Sequence, residues 1–379
     1  MIVEKAFSSL HKAGEELCGD RVLLSETPTS IIAVLSDGLG SGVKANILAT
    51  ITTRVAMTML ENGAKIDEVV STLARTLPVC KVRKLAYSTF TIIQVHSNGT
   101  IYVAEFDNPT ICFFREGRRM PLKTHERVIG SLVVQEASWQ GKENDMLVAV
   151  SDGVVHAGIG EKLDFGWTHN KLETYLQTLA TRDLSAVNVC EKISNIVERI
   201  SQGVLGDDST VLTIKLRKKR SVTVAVGPPV NMDDDRKFTQ KLLCENQTRV
   251  ICGGTTATLI ARELGTDVIV DLNSISEHDE VPPTGAIEGI SLVTEGILTL
   301  STVLQYFKAN HFPQVNNGAV RLGKTLQESD EINFLVGRAI NAAHQNPDLP
   351  VHLSLKQQLI QEFAKVLQDL GKKVTVEYY

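Results

Sequence analysis

VLSDGLGSGVKA, residues Val34–Ala45, decides how the first half of this chain is read. An apolar run stops at once on Ser36-Asp37-Gly38. Glycines follow at alternate positions (Gly38, Gly40, Gly42), and then a helix-forming segment begins. Two chemistries use such a junction. One is a phosphate-cradling loop of the dinucleotide-binding kind. The other is a metal site in which Asp37 is the ligand and the glycines keep side chains out of its way. The first wants an acid at the end of a second strand, about 20 residues on. That position falls around Glu61, inside a helical pattern, and Gly38-x-Gly40-x-Gly42 is not the G-x-G-x-x-G spacing.

The same junction recurs. Ser151-Asp152-Gly153 ends the apolar run MLVAV, Gly206-Asp207-Asp208-Ser209-Thr210 precedes the run STVLTIKL, and Cys18-Gly19-Asp20 stands beside a β-rich stretch. A single Asp-Gly is ordinarily a turn. Four acidic spots at strand ends, each beside glycine, converge if the strands are neighbours. Carboxylates that close repel and their pKa values rise. A hard divalent cation, Mg²⁺ or Mn²⁺, resolves the repulsion with carboxylate, carbonyl and water oxygens. No G-x-S-x-G elbow offers a different nucleophile. His156, four residues past Asp152, is either a proton donor to a leaving group or a polar residue on a flap.

Gly19-Asp20, SDGLGSGVKA, STFTI, SDGV and GDDST, in this order, resemble the metal-dependent protein phosphatases (the PPM or protein phosphatase 2C family), in particular their bacterial SpoIIE-like branch. The resemblance covers residues 1–216. It implies a four-layer αββα sandwich and hydrolysis of phosphoserine or phosphothreonine by water activated between two Mn²⁺ or Mg²⁺ ions. It makes Asp37, Asp152 and Asp207 the catalytic residues. It places Asp37 across both ions, the Gly38 carbonyl on one, Asp152 and Asp207 on the other, and Asp20 beside them directly or through water. Asp208 stands where many relatives have Asn, so it is read as an orienting residue. The Arg by which many members hold the phosphate has no clear counterpart; Lys12 and Arg21 are candidates. Glu105-Phe106-Asp107-Asn108-Pro109 replaces an Ala-Gly-rich sequence. Two other readings are a catalytically silent signalling scaffold on the same fold and a small-molecule phosphohydrolase.

Residues 21–24, 31–36, STFTIIQVHS, TIYVAEF after the Asn98-Gly99 turn signal, TICFFRE before Gly117-Arg118, and MLVAV predict strands. Residues 43–61 predict a helix whose apolar stripe is Ile47, Ile51, Val55 and Met59. Further helices are expected at 66–77, 169–180 and 184–201. Consecutive strands with segregated helices make this half α+β.

After Arg220 the rhythm changes. SVTVAVG, RVICGG, DVIVDL and ISLVTEG alternate with helical segments at 234–245, 255–264 and 297–308, the βαβ pattern of a smaller parallel-sheet, Rossmann-like α/β domain. Two helices, about 328–345 and 354–370, and the strand KVTVEYY complete it. The reading is a phosphatase domain over 1–218 and a ligand-sensing or docking companion over 221–379. Gly253, Gly254, Thr255 and Thr256 end a strand and open a helix, which suits an anion or a Thr-capped tight turn. Glu295-Gly296 is a second such junction, and His344–Pro350 a polar loop that would form a rim. Asp233-Asp234-Asp235 is expected at a helix N-terminus.

The 379 residues, 43% hydrophobic and 22% charged, suit a globular protein with a sizeable core. A net charge of −5 gives no general attraction for nucleic acid or anionic membrane. The basic run Lys215–Arg220 reads as a local domain edge or an acidic-partner patch. No apolar run approaches the about 18 residues a membrane span needs. The N-terminus has acids early and no long apolar stretch, so it is not expected to act as a secretory signal. Six scattered cysteines (Cys18, Cys80, Cys112, Cys190, Cys244, Cys252) lack any C-x-x-C pair and fit a reducing cytoplasm. The expected partner is a phosphorylated regulatory protein, with no nucleic acid and no membrane; a homodimer and a small anionic ligand are admissible.

Overall fold

The computed structural model describes residues 1–76, 88–129, 132–160, 163–244, 247–271, 282–339 and 355–379. Its chain divides into two units, Met1–Lys218 and Lys219–Tyr379. The first contains β1 (Ile2–Leu10), β2 (Asp20–Glu26), β3 (Ser30–Asp37), α1 (Gly42–Glu61), α2 (Ile66–Thr76), β4 (Phe90–His96) and β5 (Thr100–Phe106). It continues with β6 (Cys112–Arg115), β7 (Arg118–Met120), β8 (His125–Ile129), β9 (Leu132–Gln140), β10 (Met146–Val150), α3 (Asp152–His156), α4 (His169–Ala180), α5 (Ala186–Ile200) and β11 (Ser209–Arg217).

These strands form two antiparallel sheets, β1-β11-β10-β6-β7 and β2-β3-β4-β5-β9-β8. Period-2 alternation gives each strand two faces. Leu35, Ile93 and Val103 of one sheet meet Leu147, Leu212 and Ile214 of the other in the inner layer. On the outer faces, Val34 and Ile92 pack under Met57, Leu60, Val69 and Leu73 of α1 and α2. Val148 and Val150 pack under Leu172, Leu176, Val189 and Ile193 of α4 and α5. The result is the αββα sandwich. β10 shows the cause: all five of its residues are buried, Met146, Val148 and Val150 outward and Leu147 and Ala149 inward. At ~1.5–3 kcal/mol for each large apolar side chain buried, only an interior position suits this run.

Two expectations for this unit are corrected. In α1, Ile47 is 52% and Ile51 40% exposed. The buried ridge is Ala45, Leu48, Ala49, Thr52, Thr53, Ala56, Met57 and Leu60. Small side chains let the helix lie close over β2 and β3, and a stripe chosen by hydrophobicity alone misses them. Ile2–Leu10, not anticipated as regular structure, is a nine-residue strand paired along its whole length with β11.

The second unit contains β12 (Ser221–Val226), α6 (Asp235–Leu242), β13 (Thr248–Cys252), α7 (Gly254–Leu264), β14 (Ile269–Asp271), β15 (Thr284–Ala286) and β16 (Leu292–Thr294). α8 (Ile297–Ala309), α9 (Gly318–Glu328), β17 (Glu331–Val336), α10 (Leu355–Asp369) and β18 (Lys373–Tyr378) follow. Its sheet order is β14-β15-β16-β13-β12-β17-β18. The pairs from β16 to β18 are parallel. Helices α8, α9 and α10 cover one face and α6 and α7 the other. The chain runs from β12 to β13 and β16 on one side, then returns to place β17 and β18 on the other. β12 therefore borders the topological switch point.

Here too the structure departs from expectation. The helix read over 328–345 is replaced at Glu331–Val336 by a strand between β12 and β18. Ile332, Phe334 and Val336 join the cluster on one face while Leu335 joins the other, which only period 2 achieves. The helix lies just upstream, at Gly318–Glu328. DVIVDL contributes not a parallel strand but the antiparallel edge strand Ile269–Asp271. Cys80 and His344–Pro350 lie outside the described residues. The other five cysteines are free thiols.

Candidate metal centre

The antiparallel register of β2 and β3 sets Asp20 opposite Asp37. β10 ends at Val150, so Ser151 and Asp152 open α3 at the same edge of the neighbouring sheet. Asp207 and Asp208 precede β11, which pairs with β10. Two sheets and four strand ends thus bring together Asp20, Asp37, Asp152 and Asp207. Their electrostatics record the proximity. Burial first, then the charges of Asp20, Asp152 and Asp207, push the Asp37 carboxyl up to about 9, and a hydrogen bond with Asp152 favours its protonated form further. Burial likewise raises Asp20 to about 7; hydrogen bonds from Ser151 and Thr210 oppose the rise, and the charges of Asp208 and Asp152 add to it. Asp207 is raised by desolvation and by Asp152, against the pull of its bond from the Asp208 amide and of Lys12.

Serines and threonines fix these carboxylates, and the sequence reading had assigned the serines of the two Ser-Asp-Gly motifs no role. Ser151 Oγ donates to Asp20 Oδ2 at 2.6 Å and accepts from the Thr210 amide at 2.9 Å. Ser36 Oγ shares a 2.6 Å bond with Ser88 Oγ and donates to the Thr89 carbonyl. The Asp37 amide donates to Thr89 Oγ1, which donates in turn to Asn108 Oδ1 at 2.6 Å. Asn108, in the divergent segment 105–109, therefore supports the end of β3. The repetition of serine before Asp-Gly was the available signal, and both serines are fully buried.

Asp208 is buried and turned to the backbone: its carboxylate accepts from the Lys12 amide at 3.0 Å and the Gly19 amide at 2.8 Å. It holds the Gly19-Asp20 turn. The glycines have steric reasons. A Cβ on Gly38 would overlap the Ala45 carbonyl, and one on Gly153 the Asp208 carbonyl. Gly40 and Gly42 adopt φ of 108° and 65°, the left-handed region. Arg21 is exposed and, by alternation, on the face opposite Asp20. Lys12 lies within the electrostatic reach of Asp207. His156 Nδ1 is 3.9 Å from Asp152 Oδ2.

The donor set fits hard divalent cations. It is all oxygen, and Asp20 Oδ1 is buried without a hydrogen-bond partner. Among the described residues the cluster whose ligand atoms lie mutually within 4.8 Å is not the aspartates but Cys112, His169 and Glu173. Its groups are engaged elsewhere: Arg119 pairs with Glu173 at 2.5 Å, and His169 Nε2 lies 2.7 Å from the Thr110 carbonyl. Asp235 is likewise paired, with Arg262 at 2.6 Å. Gly253 to Thr256 lie in the second unit, where Gly253 caps α7.

Residues 27–217 match the family profile described as Stage II sporulation protein E (SpoIIE). No curated relative matches the chain. Among solved structures, the PP2C phosphatase domain with a fragment of the regulatory domain of SpoIIE from Bacillus subtilis aligns over 57% of this chain and 62% of its own, at 18% identity and a TM-score of 0.49. The SiaA-PP2C domain of Pseudomonas aeruginosa aligns over 55% of this chain and 85% of its own, at 16% identity and a TM-score of 0.46. RsbX in complex with magnesium aligns over 56% and 95%, at 15% identity and a TM-score of 0.41.

Proposed function

Because the chain belongs to the stage II sporulation protein E family through residues 27–217, we propose that its first unit is a Mn²⁺- or Mg²⁺-dependent phosphatase for phosphoserine or phosphothreonine on a regulatory protein. The observation that carries the reading is the convergence of Asp20, Asp37, Asp152 and Asp207, with Asp37 raised by burial and then by the charges of Asp20, Asp152 and Asp207, and Asp20 by burial and then by those of Asp208 and Asp152. Asp37, Asp152, Asp207, the Gly38 carbonyl and Asp20 would hold two ions. Such a pair supplies a water of lowered pKa and neutralises charge on the phosphoryl group.

The chain's own groups supply the positioning. Ser151 aims Asp20, and Asp208 fixes the turn that carries it. Thr89 and Asn108 fix the end of β3. The bare backbone from Gly38 to Gly42 leaves a path for water and a phosphoryl group. Lys12 is the cation positioned to favour an incoming phosphate, since its charge already acts on Asp207. His156, on the helix that Asp152 opens, is the candidate proton donor to the leaving alkoxide.

The test is phosphate release from a phosphoserine peptide with and without Mn²⁺, for the native chain and Asp37→Ala. Release that needs the metal and disappears in the variant supports the reading. Absence of both release and Mn²⁺ binding by calorimetry overturns it. Release from nucleotides but not from phosphopeptides would replace the protein substrate with a small phosphoester.

A further inference from the structure

A cavity of ≈ 600 Å³ opens at the carboxyl ends of β12, β13 and β16 and is lined as well by Ala339 and by Leu355 and Lys356 at the start of α10. This is the switch-point edge of the parallel sheet, where open α/β sheets bind ligands. Glycines line it where backbones must come close. Gly253 has φ 120°, which side-chain-bearing residues rarely adopt. A Cβ on Gly227 would collide with the Lys356 ammonium, which is thereby placed over the β12 turn.

Three features of this cavity favour a negative charge. The eleven-residue helix α7 starts in its wall, with no side chain capping its first turn. Its first amides have no partner within the helix, and Gly254 and Thr255 are exposed. Lys356 lines the wall and donates to the Ala339 carbonyl at 3.2 Å. Burial lowers its pKa, so a charged partner would be favoured there. Thr256 is fully buried, lines the cavity, and its Oγ1 has no hydrogen-bond partner. An unpaired buried hydroxyl is unfavourable, so a ligand that accepts from it would relieve that loss. Glu295 lines the same cavity, but its carboxylate accepts from the Leu298 amide at 3.1 Å at the start of α8, so the anion belongs at α7. The remaining wall is largely apolar, with Val226, Pro228, Ile297, Leu298 and Leu355.

We propose that this cavity binds a small organic molecule with one phosphate or carboxylate head, seated on the first turn of α7, Thr256 and Lys356, and an apolar body against Ile297 and Leu298. Such a ligand would make the unit a small-molecule receptor in the same chain as the proposed phosphatase.

Calorimetry on the full chain in chelator tests it, with phenylphosphonate as the non-hydrolysable phosphate probe, benzoate as the carboxylate probe and benzamide as the neutral control. At least one anion is expected to bind in preference to benzamide, and which one binds assigns the head group. Lys356→Met should weaken that binding about 10-fold or more. Thr256→Val, which removes an unpaired hydroxyl and keeps the shape, should weaken it about 3- to 10-fold without lowering Tm. Asp37→Asn, in the other unit, should leave it unchanged. No binding of either anion at about 10 mM overturns the proposal. Equal binding of benzamide also overturns it, as does binding that survives Lys356→Met and is lost in Asp37→Asn.

Discussion

Asp37 shows what a single carboxylate costs this fold in the absence of a cation. Its pKa is raised from 3.8 to about 9, so near neutral pH the folded chain holds it protonated while the unfolded chain leaves it ionised. Asn has the shape of the protonated form. Asp37→Asn is therefore expected to abolish phosphate release and yet raise stability in chelator at pH about 7.5 by ~1–3 kcal/mol, read as Tm. The same variant should lose the Tm increase that Mn²⁺ gives the native chain. Glu105 is an independent case. It is 4% exposed, accepts from the Ile111 amide at 2.7 Å, and burial raises it from 4.5 to about 7. The folded state binds the proton more tightly, so native stability falls as pH rises from about 4.5 to about 7. Glu105→Gln keeps an acceptor for Ile111 and removes that loss. Its Tm should match the native value near pH 4.5 and exceed it at pH about 8, by the equivalent of ~1–3 kcal/mol.

At the scale of elements, α1 separates hydrophobicity from burial. Ala49 is fully buried and Ile47 is 52% exposed, although Ile is the more apolar residue. Ala49→Leu is expected to cost ~1–3 kcal/mol by overpacking α1 against β2 and β3. Ile47→Gln should stay within ~0.5 kcal/mol. Urea midpoints of the two variants decide between the ridge seen in the structure and the stripe read from the sequence. Strand β17 teaches the same lesson. EINFLV carries Phe334, Leu335 and Val336 in succession, and those side chains are fully buried because both faces of the sheet are covered by helices. The basic run at 215–220 is likewise locally engaged: Lys215 pairs with Asp183 at 3.3 Å, Arg217 with Glu4 at 2.5 Å, and Lys219 with Glu331.

For the whole molecule, the raised carboxylates set a pH dependence that a metal reverses. Asp20 and Asp37 have folded-state pKa values of about 7 and about 9, above their ordinary 3.8. The folded chain therefore holds protons that the unfolded chain has released, and raising the pH across that window favours unfolding. In chelator, Tm should fall between pH about 5 and pH about 9. With Mn²⁺ the fall should shrink or invert, because the metal competes with those protons and binds only the folded chain. A Tm series with and without Mn²⁺, repeated on Asp37→Asn, measures this directly. Among the described residues no helix is long and apolar enough to cross a membrane.

Local sequence was enough to determine the strand-ending Asp-Gly junctions, the Asn98-Gly99 hairpin, the buried run MLVAV and the alternation of the second half as far as α8, because each rests on neighbours a few residues apart. Tertiary structure alone decided what those junctions do. Ser151 bonds Asp20 across 131 residues and so ties the strand end that carries Asp152 to the one that carries Asp20. Asp208 reaches Gly19 across 189 residues and so orients a turn, a role invisible in Gly-Asp-Asp-Ser-Thr itself. β1 exists as a strand because β11 offers it an edge, with Ile2 opposite Arg217. Thr256 is an ordinary first-turn threonine in the sequence; only the packing around it leaves its hydroxyl buried and unpaired. Backbone preference and periodicity act over a few residues, whereas convergence of charges, the choice of buried face and the pairing of distant strands depend on which surfaces the whole chain brings together.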